Sequence, residues 1–153
     1  HYEIGWNYRM TNLQAALGLA QLEKIESHIN RKREIGNRYQ KGLKEIKGFA
    51  KPIKSTEYAE NIYWVFGLIA ENKKIYDDVL KFLAYNKIGT RPFFWCMHEQ
   101  PVFKKMGLFK NDSFPVSENL ARLGFYIPSG LGLSNHQIDE VIKMIKQFST
   151  NEL

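Results

Sequence analysis

The sequence predicts a small α/β protein in which a sheet carries helices on one face and a long helix leads into the domain. Three observations predict this fold: helical spacing of apolar residues over the first third of the chain, short β-branched and aromatic runs after it, and an amphipathic stripe near the end. The 153 residues are 44% hydrophobic and 25% charged, which is typical of about one soluble globular domain.

The first predicted element is a long helix from Thr11 to about Lys44. Thr11 and Gln14 have the spacing of a capping box, and apolar residues then recur at helical intervals. Unbroken, this helix would be about 50 Å long, whereas a compact chain of this size has a diameter of about 38 Å. Either the helix kinks, with Gly36 as the candidate, or it lies against a second body outside this chain, which is the interpretation we favour.

Strands and short helices alternate after it. Residues Asn61–Ile69 predict a central strand because they are rich in β-branched and aromatic types and apolar on both faces. Asn72–Lys74 is typical of a turn, and the spacing from Ile75 predicts a short helix that ends near Asn86. Ile88–Phe94 indicates a further strand, which Pro92 assigns to an edge of the sheet.

The last third of the chain predicts two helices with a strand between them. Pro115 fits a first helical turn, and that helix should end near Leu123 with Gly124 as its stop. Phe125–Ile127 indicates a short strand. Ser134–Gln137 is a second capping box, and it precedes a clean amphipathic stripe.

Composition limits the classes of function. The single cysteine, Cys96, excludes an internal disulfide and any multi-cysteine metal site, and it fits a reducing compartment, most simply the cytoplasm. No histidine or carboxylate cluster has metal-ligand spacing, so we expect no metal site. No apolar run approaches the roughly 20 residues that cross a bilayer. The net charge of +6 attracts anions but does not by itself indicate nucleic-acid binding.

The first candidate site is the segment Gly5–Met10, directly before the long helix. Asn7 offers an amide donor and Arg9 a two-pronged donor beside a helix N-terminus, a combination that suits a phosphate or a carboxylate. From the spacing alone the simpler interpretation is that Trp6, Tyr8 and Met10 pack and Arg9 is a surface cation.

The second candidate site is the segment Thr90–Pro101, where Arg91 and His98 bracket an aromatic cluster that includes Phe94. Such a segment could wall a site for a flat or sugar-like anionic ligand, although on composition alone a core segment followed by a loop is the safer interpretation. A Cys96–His98 nucleophile pair is geometrically conceivable. Because no third, orienting group is visible, we prefer a plain buried or half-buried thiol.

The same segments resemble a known enzyme family. Gly5–Ala16 continuing through Glu23, Arg91–Phe94, His98–Pro101, Pro115–Glu118 and Phe125–Ser129 are similar to the DegT/DnrJ/EryC1/StrS family of PLP-dependent sugar aminotransferases, which have the aspartate-aminotransferase fold. The resemblance covers essentially the whole chain, and the second segment looks most like the branch that makes GDP-perosamine. This chain has Cys96 where that branch is expected to have a proline, which affects the local loop shape and therefore the choice of substrate.

The resemblance implies that the chain is the C-terminal part of a fold-type I aminotransferase, with a small and mainly antiparallel sheet. Residues 1–47 would be a linking segment whose long helix packs on a large PLP domain outside this chain, and 48–153 would be the small domain. The lysine that forms the internal aldimine with PLP would lie upstream, so we assign no catalytic lysine here. With the large domain absent, the apolar stripe of the helix should cause self-association.

The resemblance also implies roles for individual residues. Asn7 matches an asparagine that reaches the PLP phosphate of the partner subunit in a homodimer, and Arg9 matches a neighbouring arginine that holds anionic groups. Trp6 and Tyr8 flank that site. The residues that fall where relatives line the nucleotide-sugar pocket are Arg91, Phe94 and His98.

The implied reaction moves an amino group from glutamate to a 4-keto-6-deoxy sugar nucleotide, with PLP as the cofactor. Two alternatives stay open. The cluster Arg31-Lys32-Arg33, with Arg38 and Lys41, could belong to a DNA-binding or regulatory protein, although a solvated helix face is the usual meaning of such a run. A non-catalytic assembly module is the other alternative. We expect no nucleic-acid partner and no membrane association.

Overall fold

The structure is a computed structural model, and it describes residues 8–151. Within that range a sheet is covered by helices on one face, as the sequence predicts. The elements in chain order are α1 (Asn12–Leu22), α2 (Ile25–Gly42), β1 (Phe49–Ala50), β2 (Phe66–Ala70), α3 (Lys73–Tyr85), β3 (Arg91–Pro92), a 3₁₀ turn (Met97–Glu99), α4 (Pro101–Lys105), α5 (Pro115–Leu123), β4 (Gly124–Ile127) and α6 (Asn135–Asn151).

The predicted long helix is two helices. The chain turns at Glu23 and Lys24, between α1 and α2, and neither glycine nor proline marks that turn. Gly36, the predicted kink, lies inside α2 and is buried there. Both predicted capping boxes are confirmed, because Thr11 exchanges hydrogen bonds with Gln14 and Ser134 exchanges them with Gln137.

The sheet has the strand order β1-β2-β4-β3, and every pair in it is antiparallel. β2 is central and β3 lies at the edge, as predicted, but both strands are shorter than the sequence indicates. Residues 61–65 leave the strand because Tyr63 adopts a positive φ of 52°, while its N–H donates to Oδ1 of Asn61 at 2.6 Å. Lys73 and Lys74 belong to α3 rather than to a turn, with Asn72 as the N-cap.

The core lies between the sheet and the helices α2, α3 and α6. Phe66 and Leu68 of β2 and Phe125 of β4 are fully buried, and Ile138 and Ile145 of α6 pack among them. The second half of the predicted linking helix also joins this core, through its buried residues Ile35, Tyr39 and Leu43. Helix α2 therefore packs with the small domain, although the prediction placed it in the linking segment. The domain boundary at residue 47 stays a prediction.

The opposite face of the sheet is covered by an aromatic ring. Phe93 lies over Gly67 of β2 and Gly124 of β4, where an added Cβ would come within 2.5 Å and 2.3 Å of the ring. The two glycines therefore let Phe93 approach the strand backbone closely. Among the described helices, none combines the length and the apolar character that a membrane span requires.

Candidate functional site

The first candidate segment is only partly described. Asn7 and Trp6 lie outside the described residues, whereas Tyr8 and Arg9 directly precede α1 and are exposed, Tyr8 to 88%. Arg9 is therefore not buried in the interior of its own domain, which would have contradicted its assigned role. The exposed position is what a group offered to another polypeptide requires, and the roles of all four residues stay predictions.

The start of α1 is partly satisfied by its own capping box. The N–H of Gln14 donates to Oγ1 of Thr11 at 3.2 Å, and the N–H of Thr11 donates to Oε1 of Gln14 at 2.9 Å. These two amides are therefore engaged within the capping box and do not face an anion bound here.

Arg91 and Phe94 of the second candidate segment meet around Tyr126. Arg91 is opposite Tyr126 in the β3–β4 register, and the Phe94 ring stands edge-on to Tyr126 with centroids 6.0 Å apart. Phe93 stacks on the same Tyr126 ring at 4.7 Å. Arg91 also lines a groove of about 380 Å³ with Gly89, Thr90 and Tyr126, among others. Arg91 and Phe94 are exposed, so this surface can receive a ligand.

Tyr126 is the residue that sequence reasoning missed here. Burial raises the pKa of its phenol. Within β4 the neighbouring residues Phe125 and Ile127 point into the core, so strand alternation sends Tyr126 to the opposite face. That alternation was visible in the sequence, but the pairing of β4 with β3, which brings Tyr126 to Arg91, was not.

His98 belongs to a second cluster. It lies in the 3₁₀ turn, it is 8% exposed, and its Nε2 is 3.1 Å from Oε1 of Glu118 in α5. The imidazole ring also packs against Phe114, with centroids 4.8 Å apart. Glu118 is thus the orienting group that sequence analysis did not find, because it comes twenty residues after His98.

Hydrogen bonds favour the ionised form of two carboxylates here, those of Glu118 and of Glu99, the residue after His98. The backbone N–H of Phe114 donates to Oε1 of Glu118 at 2.9 Å, and this bond, with a smaller contribution from His98, lowers the pKa of Glu118. Arg122 donates to Oε1 of Glu99 at 2.5 Å and lowers the pKa of Glu99. The guanidinium of Arg122 in turn lies over the Trp95 ring, 5.0 Å from its centroid.

Cys96 is a buried thiol, as the preferred interpretation predicted. It precedes the 3₁₀ turn, and Oγ of Ser117 donates to its Sγ at 3.5 Å. A pocket of about 820 Å³ is lined by Trp95, Phe93 and Arg122, among others, and Cys96 is not part of its lining. Aromatic walls and a cation suit a flat anionic ligand, whereas the thiol itself is too buried to attack one.

The same fold occurs in parts of other solved proteins. DesV of S. venezuelae superimposes with a TM-score of 0.85 over 97% of this chain and 39% of its own, at 23% identity. The sugar aminotransferase CalS13 of Micromonospora echinospora gives a TM-score of 0.74 over 93% of this chain and 37% of its own, also at 23% identity. This chain therefore shares its fold with a part of each of these two proteins, in agreement with the α/β architecture that the sequence analysis expected.

The chain belongs to the DegT/DnrJ/EryC1/StrS aminotransferase family, whose model matches residues 1–146. The GDP-perosamine synthase of Escherichia coli O157:H7 is 34% identical over 99% of this chain. The GDP-perosamine synthase of Vibrio cholerae is 32% identical over 97% of it. In both comparisons the chain spans 40% of the length of the relative.

Proposed function

We propose that this chain is the C-terminal part of a PLP-dependent nucleotide-sugar aminotransferase and is inactive alone. The full enzyme would move an amino group from glutamate to a 4-keto-6-deoxy sugar nucleotide of the perosamine type, for polysaccharide biosynthesis in the cytoplasm. The observation that carries the proposal is the similarity to two GDP-perosamine synthases over at least 97% of this chain. The match to only 40% of their length supports the view that the remaining machinery lies in another segment.

The described residues fit a supporting role toward PLP. Arg9 is exposed beside the start of a helix, where a cation can meet the phosphate of a cofactor held elsewhere. Asn7, two residues earlier, would join it from the partner subunit of a homodimer. PLP supplies the electron sink of amino transfer when it is bound, and the aldimine lysine is proposed to lie outside this chain.

The nucleotide-sugar wall is proposed to comprise Arg91, Phe94 and His98, with Trp6 and Tyr8 near the cofactor. Arg91 and Phe94 share the exposed surface around Tyr126, which supports a contact with the anionic sugar nucleotide. The part of His98 in this wall would be mainly to hold the conformation of the loop, with little direct contact with the sugar. Its ring is buried, and one ring nitrogen is bound to Glu118.

DNA binding is disfavoured because four of the five cations of the basic cluster of α2, all but Lys41, are engaged by other groups of the domain. Arg31 pairs with Glu34, Arg33 pairs with Glu60, and Arg38 pairs with Asp139. The ammonium of Lys32 donates to the carbonyls of Trp64 and Ser129, and burial lowers its pKa. A helix face whose cations are committed in this way offers few free charges to a duplex.

The experiment uses a polypeptide that carries this chain behind its PLP-binding domain. We expect a yellow protein that converts GDP-4-keto-6-deoxymannose in the presence of glutamate. Asn7→Ala and Arg9→Ala should reduce the PLP retained after dialysis by about tenfold each, because each removes one charge-assisted or amide contact worth about 1.4 kcal/mol. Exposed Lys41→Ala is the matched control.

Two outcomes would contradict parts of the proposal. Full PLP retention in both Asn7→Ala and Arg9→Ala would remove these residues from the cofactor site. Glutamate-dependent amination of a UDP- or dTDP-linked keto sugar, with none of the GDP-linked sugar, would keep the class of enzyme and replace the substrate.

A further inference from the structure

Three potential metal ligands lie together at the turn that follows β3. The Sγ of Cys96, a ring nitrogen of His98 and a carboxylate oxygen of Glu99 are all within 4.8 Å of one another. Cys96 is 3% exposed and His98 is 8% exposed, so the cluster is internal rather than a chance grouping on the surface. We propose that Cys96, His98 and Glu99 bind a zinc ion.

The donor set suits zinc. Thiolate sulfur, imidazole nitrogen and carboxylate oxygen are the ligands that zinc takes in proteins, and three protein ligands leave a fourth position for water. Around a tetrahedral zinc, ligand atoms are about 3.3–3.8 Å apart, so the cluster must contract by about 1 Å. All three side chains belong to residues 96–99 of one short turn, and side-chain rotation can provide that movement.

One carboxylate oxygen of Glu99 is available to a metal ion. Its Oε1 accepts a hydrogen bond from Arg122 at 2.5 Å, whereas Oε2 is buried and has no hydrogen-bond partner among the described residues. An unsatisfied buried carboxylate oxygen is costly, and a metal ion would satisfy it. The site requires Arg122 to stay on Oε1, where it also keeps its contact with the Trp95 ring.

Glu118 binds Nε2 of His98, the ring nitrogen that would not bind the metal. With the Nε2–H of His98 donating to Glu118, Nδ1 is the ring nitrogen whose lone pair remains for a metal. A carboxylate that holds the second nitrogen of a metal-bound histidine is a recurrent arrangement that fixes the ring and raises its basicity. Glu118 is itself fixed by the N–H of Phe114 and by its position in α5.

Metal binding has a defined proton balance at this cluster. Zinc binds cysteine as the thiolate, so binding of a divalent ion releases the thiol proton of Cys96 to solvent as the sulfur–metal bond forms. The carboxylates of Glu99 and Glu118 lie close to that position, and the guanidinium of Arg122 stays on the Oε1 atom of Glu99.

The test is a cobalt titration of the reduced chain without oxygen, with Co²⁺ as the probe for the zinc site. We expect one Co²⁺ per chain, a thiolate-to-cobalt charge-transfer band, visible bands typical of four-coordination, and displacement by Zn²⁺. Cys96→Ser should abolish the charge-transfer band. Glu118→Gln should weaken binding about 10–100-fold, as loss of an outer partner does. His98→Asn and Glu99→Gln should weaken it at least as much.

Control measurements separate the site from other binding. His136→Asn changes an exposed histidine outside the cluster and should bind Co²⁺ like the parent chain. Circular dichroism establishes that each variant is folded, and Zn²⁺ should raise the thermal unfolding midpoint of the parent but not of His98→Asn. Absence of a charge-transfer band would overturn the proposal, as would a band that persists unchanged in both His98→Asn and Glu99→Gln. None of these readouts depends on the aminotransferase proposal.

Discussion

The helices α1 and α2 carry apolar residues at the same helical spacing but differ in what covers them. No residue of α1 is buried, and Leu13 and Leu17 are 81% and 67% exposed. In α2, Ile35 and Tyr39 are essentially inaccessible to solvent. Periodicity therefore predicts which side of a helix is apolar but not what lies against it. The uncovered side of α1 is consistent with a second body, such as the proposed large domain or another copy of this chain.

The largest expected contrast comes from truncating one apolar side chain in each helix. Ile35→Ala should lower the free energy of unfolding by about 2–5 kcal/mol, because it leaves a cavity in the core. Leu17→Ala should change it by less than about 0.5 kcal/mol, because the side chain is already in water. Urea denaturation of the chain at low concentration measures both.

A large loss in Leu17→Ala would show that α1 is covered in solution. In that case the loss should grow with protein concentration if a second copy provides the cover, and stay constant if the helix folds back on its own domain. Sedimentation of the parent chain and of Leu17→Gln would distinguish the two, since self-association through α1 should weaken in the variant.

A pair of glycines gives the second contrast. A Cβ at Gly36 would lie 2.1 Å from the Tyr63 ring, so Gly36→Ala should cost about 1–3 kcal/mol through overpacking. Nothing lies within 4 Å of a Cβ at Gly18 in α1, and Gly18→Ala should stabilise the chain by about 0.5–1 kcal/mol, because alanine loses less backbone entropy in a helix. Thermal unfolding and helical ellipticity report both effects.

The double change Gly36→Ala with Tyr63→Ala serves as the control for the first of these. It should cost less than the sum of the single changes, because removal of the ring relieves the clash. Additive losses would mean that the damage at Gly36 does not arise from contact with Tyr63.

Short-range patterns in the sequence predicted where helices begin better than they predicted where helices and strands are interrupted. The two capping boxes are short-range patterns, and both helices begin where they indicate. The turn at Glu23 and Lys24 has no such signal. Residues 61–65 read as strand because their composition is β-like, but the long-range contact of Tyr63 with Gly36 takes the chain out of the sheet.

The candidate site shows the same contrast between short-range patterns and long-range contacts. The sequence placed Arg91, Phe94 and His98 in one functional segment, and the structure sorts them into two clusters according to their partners. Tyr126 and Glu118 supply those partners from β4 and α5, and no spacing within residues 90–101 could reveal them. Asn7 and Trp6 lie outside the described residues, so their roles still rest on resemblance.

The smallest effect concerns the ion pair that ties α2 to α6. The Arg38 side chain donates to both oxygens of Asp139, at 2.7 Å and 2.5 Å, and lowers the pKa of that carboxyl. Because the folded pKa lies below the unfolded one, the pair stabilises the fold above about pH 4, the ordinary aspartate value, and this contribution disappears as the pH falls through the folded pKa. Both side chains are partly exposed, so the contribution should be small.

In Asp139→Asn the free energy of unfolding should therefore fall slightly less steeply as the pH is lowered. In Arg38→Met the slope should decrease by the same amount. The double variant should add nothing further, because either change already removes the pair. Urea denaturation midpoints between about pH 3 and pH 7 measure the slope. An unchanged slope in all three variants would mean that Arg38 and Asp139 do not hold α2 against α6 in solution, and the position of α2 would then depend on its apolar contacts alone.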